Sequence, residues 1–154
     1  MDRRLSRGAL VAVAVAAALL AGASGCGAVL ATVPIADEAT HEATLAVPSA
    51  GALHVWSLLD AEWVGPMYLR HDLALVDSAG TIVARATCDP LQTRVKLRSK
   101  SITWRGRHEV HEEGLMDCQI LAPAPGRYAL RTALTITMVP EALRLTQASI
   151  RIRQ

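Results

Sequence analysis

From Leu45 onward, apolar and polar residues alternate with a period of two rather than 3.6. Leu53, Val55, Ser57 and Leu59 alternate with His54, Trp56 and Leu58. Leu69, His71, Leu73 and Leu75 alternate with Arg70, Asp72 and Ala74. Successive side chains of a strand point to opposite faces, so alternation of this length predicts half-buried strands. Asp77-Ser78-Ala79-Gly80 breaks the run with turn chemistry and Thr81-Ile82-Val83-Ala84 resumes it, which predicts a hairpin. Arg94 to Trp104 reads as a further strand whose phase slips. Val95 and Leu97 share one face, and Ile102 and Trp104 the other, so a bulge is expected near Arg98-Ser99-Lys100. Gly106 marks a turn and His108 to Leu121 the returning strand, with Lys100 expected opposite Glu112. Pro123-Ala124-Pro125-Gly126 is a loop. Tyr128, Leu130, Thr132, Leu134 and Ile136 alternate cleanly until Pro140, and Ile150-Arg151-Ile152-Arg153 alternate once more.

These elements predict an all-β chain: a single small β-sandwich of about seven or eight strands over residues 45–154, with no helix after the N-terminal segment. The immunoglobulin pattern does not fit. Trp104 lies midway between Cys88 and Cys118, and no Tyr stands two residues before Cys118.

The N-terminal segment has a different character. Arg3, Arg4 and Arg7 form a basic head, Ala9 to Ala23 is almost entirely Ala, Val and Leu, and small residues lead to Cys26. This is the pattern of an export signal. The basic head resists translocation, which places everything after it outside the cytosol. Ala23-Ser24-Gly25-Cys26 resembles a bacterial lipobox, with Ala23 where Leu is usual. The resemblance implies removal of residues 1–25 and a lipid on Cys26 as the first residue of the mature chain. Two other fates stay open. The apolar character continues through Ala28-Val29-Leu30-Ala31-Thr32-Val33, and about 20 apolar residues cross a bilayer as a helix, so an anchor retained to about Val33 is the second. Cleavage after Ala21-Gly22-Ala23 is the third. Residues 26–44, containing VPIADEATHEAT, are expected to be a tether. On the lipobox reading, Gly27 stands where an acidic residue would favour inner-membrane retention. The expected address is then the cell envelope, membrane-anchored, with the outer membrane favoured.

Three cysteines fit this picture. Cys88 and Cys118 are expected to pair in an oxidising compartment, and the odd Cys26 is used by the lipid or buried inert in the membrane. Charge points to no nucleic-acid partner. Of 16 Lys and Arg and 14 Asp and Glu, three and one fall before Cys26, which leaves 13 of each. Arg94, Lys96, Arg98 and Lys100 form a basic stripe. Its expected role is cross-strand pairing with Glu109, Glu112 and Glu113 and protection of an edge.

Candidate chemistry is sparse. His108-Glu109-Val110-His111-Glu112-Glu113 lacks zincin spacing, and on a strand His108 and His111 point to opposite faces, so no metal site is expected. There is no Gly-x-Ser-x-Gly elbow, Cys-x-x-Cys or phosphate loop; no catalytic residue and no cofactor is expected. Trp63 sits in Asp60 to Pro66, read as a loop, and is the aromatic expected to be exposed, whereas Trp56 and Trp104 are expected in the core. The leading expectation is a non-catalytic accessory or protein-interaction module of the bacterial envelope, held to the membrane by a lipid on Cys26 or an N-terminal helix. The alternative is a ligand-binding module that takes a glycan on Trp63 and neighbouring loops.

Overall fold

The computed structural model describes residues 27–35, 37–137 and 140–154. Among these residues the chain forms nine strands: β1 (Val29–Pro34), β2 (Thr40–Val47), β3 (Gly51–Val64), β4 (Tyr68–Val76), β5 (Ile82–Cys88), β6 (Thr93–Trp104), β7 (Arg107–Ala122), β8 (Gly126–Thr137) and β9 (Ala142–Arg153). They make two antiparallel sheets, a five-stranded one in the order β1-β9-β3-β7-β6 and a four-stranded one in the order β2-β8-β4-β5. The all-β sandwich is as the alternation predicts.

The strand count is higher than expected because the predicted tether is part of the fold. β1 pairs with β9 and β2 pairs with β8 along their lengths. Val33, Ile35 and Leu45 are fully buried, so the apolar residues past Cys26 serve the core. The chain from 29 to 34 is a strand and not helix. No helix of the described residues is long and apolar enough to cross a membrane. Cys26 and residues 1–25 lie outside the described residues.

The core sits between the sheets and is drawn from alternate positions. Leu53, Val55, Leu59 and Ala61 of β3 and Ile150 and Ile152 of β9 face Leu69, Leu73 and Leu75 of β4 and Leu130 and Leu134 of β8. Each large aliphatic side chain buried here contributes roughly 1.5–3 kcal/mol relative to exposure. The two margins of the sandwich are closed differently. On one side the chain crosses directly from β1 to β2, with the Ile35 N–H donating to the Ala148 carbonyl at 2.8 Å. On the other side the Cys88–Cys118 disulfide joins β5 to β7 with a Cα–Cα distance of 5.5 Å. The expected pairing of these two cysteines is therefore present.

The turns follow the local chemistry. Asp77 Oδ1 accepts from the backbone N–H groups of Ala79 and Thr81, and the Asp77 N–H donates to the Thr81 carbonyl, closing the β4–β5 hairpin. The Tyr128 hydroxyl donates to the Ala124 carbonyl at 2.8 Å, which ties the Pro-rich loop to β8 as a local bond.

Four strands cannot cover five, and β6 is the strand left over. Of its 12 residues, eleven are exposed and Thr93 is half-buried. Its phase slip is resolved by bulges between Thr93 and Val95 and between Lys96 and Arg98, a few residues earlier than the sequence suggests. Gly114 of β7 makes room for this. A Cβ there would lie 2.6 Å from the Val95 carbonyl oxygen and 3.0 Å from Thr93 Cβ. Only glycine lets the bulged backbone come this close.

Candidate functional site: the open edge of β6

The β6–β7 hairpin turns through Arg105 and Gly106, with φ of 50° and 78°. Positive φ at both central residues is the two-residue hairpin turn whose twist matches the strands. Trp104 therefore pairs with Arg107, and Lys100 falls opposite His111 rather than Glu112. A slip of one residue moves every side chain to the other face. Lys100 accordingly bonds Glu109 at 3.2 Å, while the buried Glu112 accepts from Thr93 Oγ1 and, at 3.2 Å, from Lys96 Nζ.

On the face carrying Lys100, the acids are engaged one by one. Glu113 accepts from Arg151 at 3.0 Å, Glu62 from Arg107, and His111 lies between Asp60 and Glu109 at 3.0 and 3.1 Å. Hydrogen bonds from His111 and Lys100 hold the Glu109 carboxyl below the usual carboxylate range. Arg94 and Arg98 have no hydrogen-bond or ion-pair partner among the described residues. Beside these cations stand four apolar side chains in water: Val95, Leu97, Ile102 and Trp104. Trp104, expected in the core, is 65% exposed, and the Arg105 guanidinium lies 4.7 Å from its ring centroid.

The other aromatics are placed differently from expectation too. Trp63 lies within β3, not in a loop, and is 7% exposed. Its ring stacks on His108 at 5.1 Å with planes 15° apart. β3 runs to Val64, so residues 60–64 of the stretch read as a loop are strand, with Ala61 and Trp63 in the core. An aromatic face covered in this way offers no platform for a sugar. Trp56 is buried as expected, but on the side of its sheet away from the core. There it lines, with His54, Val95, Leu115, Arg153 and Gln154, a shallow groove of about 440 Å³, and the Arg153 guanidinium lies 5.1 Å from the Trp56 ring centroid.

His108 and His111 do point to opposite faces, one to Trp63 and the other to Asp60. Among the described residues no three His, Cys, Asp or Glu side chains are grouped to hold a metal ion. Cys88 and Cys118 are both in the bridge. The feature with the most unspent binding capacity is thus the β6 edge. Sequence reasoning located its basic stripe and read it as a protected edge, but placed Trp104 in the core. The signal was the phase slip itself: neither face of 94–104 reads as a continuous core face. Compared with known proteins, the chain matches no family model and is similar to no curated protein.

Proposed function

We propose that this protein is an exported, membrane-tethered, non-catalytic interaction module of the bacterial envelope that docks a protein partner along β6. The observation that carries the docking is the open edge: a strand of 12 residues with eleven exposed, whose outer side pairs with no other strand among the described residues. The tether is a lipid on Cys26, supported by the lipobox-like Ala23-Ser24-Gly25-Cys26 and by the bridge that occupies the other two cysteines. Gly27 after it favours the outer membrane. A glycan reading through Trp63 gains no support from a buried, stacked ring.

Mass spectrometry of the membrane-extracted protein is expected to show loss of residues 1–25 and added acyl mass on Cys26. An intact Met1 or a mature chain beginning at Ser24 would refute the lipid. The docking itself is tested with a photocrosslinker placed in the native envelope at Ser101 of β6 or at Arg85, an exposed residue of β5. A discrete crosslinked protein is expected from Ser101 and not from Arg85. The same products from both positions, or none from Ser101, would count against β6 as the docking element.

A further inference from the structure

The chemistry of the β6 edge narrows what it can accept, and this step rests on the docking reading above. We propose that the partner contributes an acidic, extended segment that adds to the five-stranded sheet as a sixth strand beside β6.

The backbone sets the first requirement. Trp104 and Arg107 close a two-residue turn, and in such a hairpin the closing pair exchanges both of its hydrogen bonds. The antiparallel ladder alternates from there. Thr103, Ser101 and Ser99 therefore direct their N–H and C=O groups away from β7, toward the free edge. These are the groups that an added strand uses. Their side chains are small, so a neighbouring backbone can approach along this stretch.

Charge sets the second requirement. Residues 93–107 hold Arg94, Lys96, Arg98, Lys100, Arg105 and Arg107 and no Asp or Glu, in an exported chain whose totals balance only because the rest of it is acidic. Glu109, Glu112 and Glu113 of β7 and Asp60 and Glu62 of β3 are already engaged by Lys96, Lys100, Arg107, Arg151 and His111; among the described residues Arg94 and Arg98 make no ion pair, and Asp117 of β7 lines a pocket with Arg94. A second copy of the 93–107 segment laid against this edge would bring two stretches of six cations and no acids together, which disfavours pairing. The same charges favour a strand with carboxylates at the matching positions. On one face the order along β6 is Arg98, Lys100, Ile102, Trp104: two cations, then two apolar groups. A strand added antiparallel, as every other strand of this sheet is, meets these positions in reverse, so the complementary segment carries two apolar residues and then two acids at alternate positions.

The probe is a peptide with that pattern, Leu-Thr-Val-Thr-Glu-Thr-Glu, and its counterpart with Lys for Glu, titrated into the folded protein and followed by backbone amide NMR. Expected are shifts confined to β6 and its hairpin. The preference for the acidic peptide should be about ten-fold, the order of two cross-strand charge pairs, and should fall with salt. Arg98→Glu together with Lys100→Glu is expected to remove the preference. Ser101→Pro, which deletes one outward N–H on an edge strand, is expected to weaken binding without changing charge. N-methylation of the peptide at its central Thr makes the same test with the protein untouched. Equal binding of the two peptides, no binding of the acidic one, or indifference to both backbone blocks would overturn the proposal. Anionic phosphatidylglycerol vesicles are the competing source of negative charge. Vesicle binding unaffected by Ser101→Pro, with no peptide binding, assigns the stripe to lipid and also overturns it. A crosslink at Ser101 to a partner segment without acids would leave the docking reading standing while this inference falls.

Discussion

Cys88→Ala and Cys118→Ala are each expected to destabilise the oxidised domain by about 3.5 kcal/mol, and the double variant by no more than either single one. The bridge spans 30 residues of sequence, and the chain-entropy cost of closing a loop of that size in the unfolded state is about 3.5 kcal/mol at 25 °C. That is a large part of the 5–15 kcal/mol or so that holds a domain of this size together. Packing adds to the case. Cys88 is 2% exposed and sits at the end of β5, the outermost strand of the four-stranded sheet. Among the described residues β5 is hydrogen-bonded on one side only, to β4, so the disulfide and the short connection to β6 are its covalent holds on the opposite sheet. The two residues act as one unit, so their losses should not add. Denaturant melts of the three variants under oxidising conditions check this, and clearly additive losses would sink it.

Acid should unfold this domain early, and His71 is the reason. Its side chain is 2% exposed in β4, between Cys88 of β5 and Leu134 of β8, and its Nδ1 is buried without a hydrogen-bond partner. Burial outweighs the attraction of Asp72 and lowers its pKa from 6.5 to about 4. The sign follows from proton counting. Above pH 6.5 the imidazole is neutral in both states and the full stability is present. Between 6.5 and 4 the unfolded chain binds a proton that the native state does not, so stability falls as pH falls. Below about 4 the loss is complete, at about 3 kcal/mol. His71→Leu keeps a similar volume and removes the titrating group. It is expected to lose about 2–3 kcal/mol less than the wild type between pH 7 and pH 4.5 in urea melts. Equal acid losses for the two proteins would place the sensitivity elsewhere.

The strands with one covered face were legible from the sequence. β3, β4 and β8 show strict alternation because the other sheet covers every second residue, and their buried positions are the ones that alternation predicts. β1 was hidden by its neighbours. Its apolar residues follow directly on a signal-like run, and hydropathy alone does not separate the end of an apolar segment from the start of a core strand. The tryptophans were misassigned for a related reason. Trp63 stands among Asp60, Glu62 and Gly65-Pro66, which reads as loop, yet it takes the inward phase of a strand that continues from Asp60 to Val64. Trp104 has strand phase too, but on a strand that the smaller sheet does not reach. Whether a face is covered depends on how many strands the opposing sheet has, and that count is not local to any stretch of sequence. The Lys100 register turned on whether the hairpin loop is Gly106 alone or Arg105 and Gly106 together, a difference of one residue.

The start of the fold fixes how the β6 tip would be displayed. Ala28 and Gln154 exchange two backbone hydrogen bonds, at 2.8 and 3.2 Å, so the sheet is closed within two residues of Cys26. With a lipid on Cys26 there is no slack between bilayer and domain. The end bearing Gly27, Gly51 and Ala122 would then rest at the headgroups, and the sandwich would stand like a short post rather than swing on a leash. From that end β3 runs 14 residues to Val64, which lies beside Arg107 at the far turn. At about 3.3 Å per residue the post is at most about 45 Å tall. Strand length rather than linker length then sets the standoff, so a partner must come to Trp104 and Arg105 at that fixed height, and lengthening the chain between Cys26 and Ala28 would change it residue by residue.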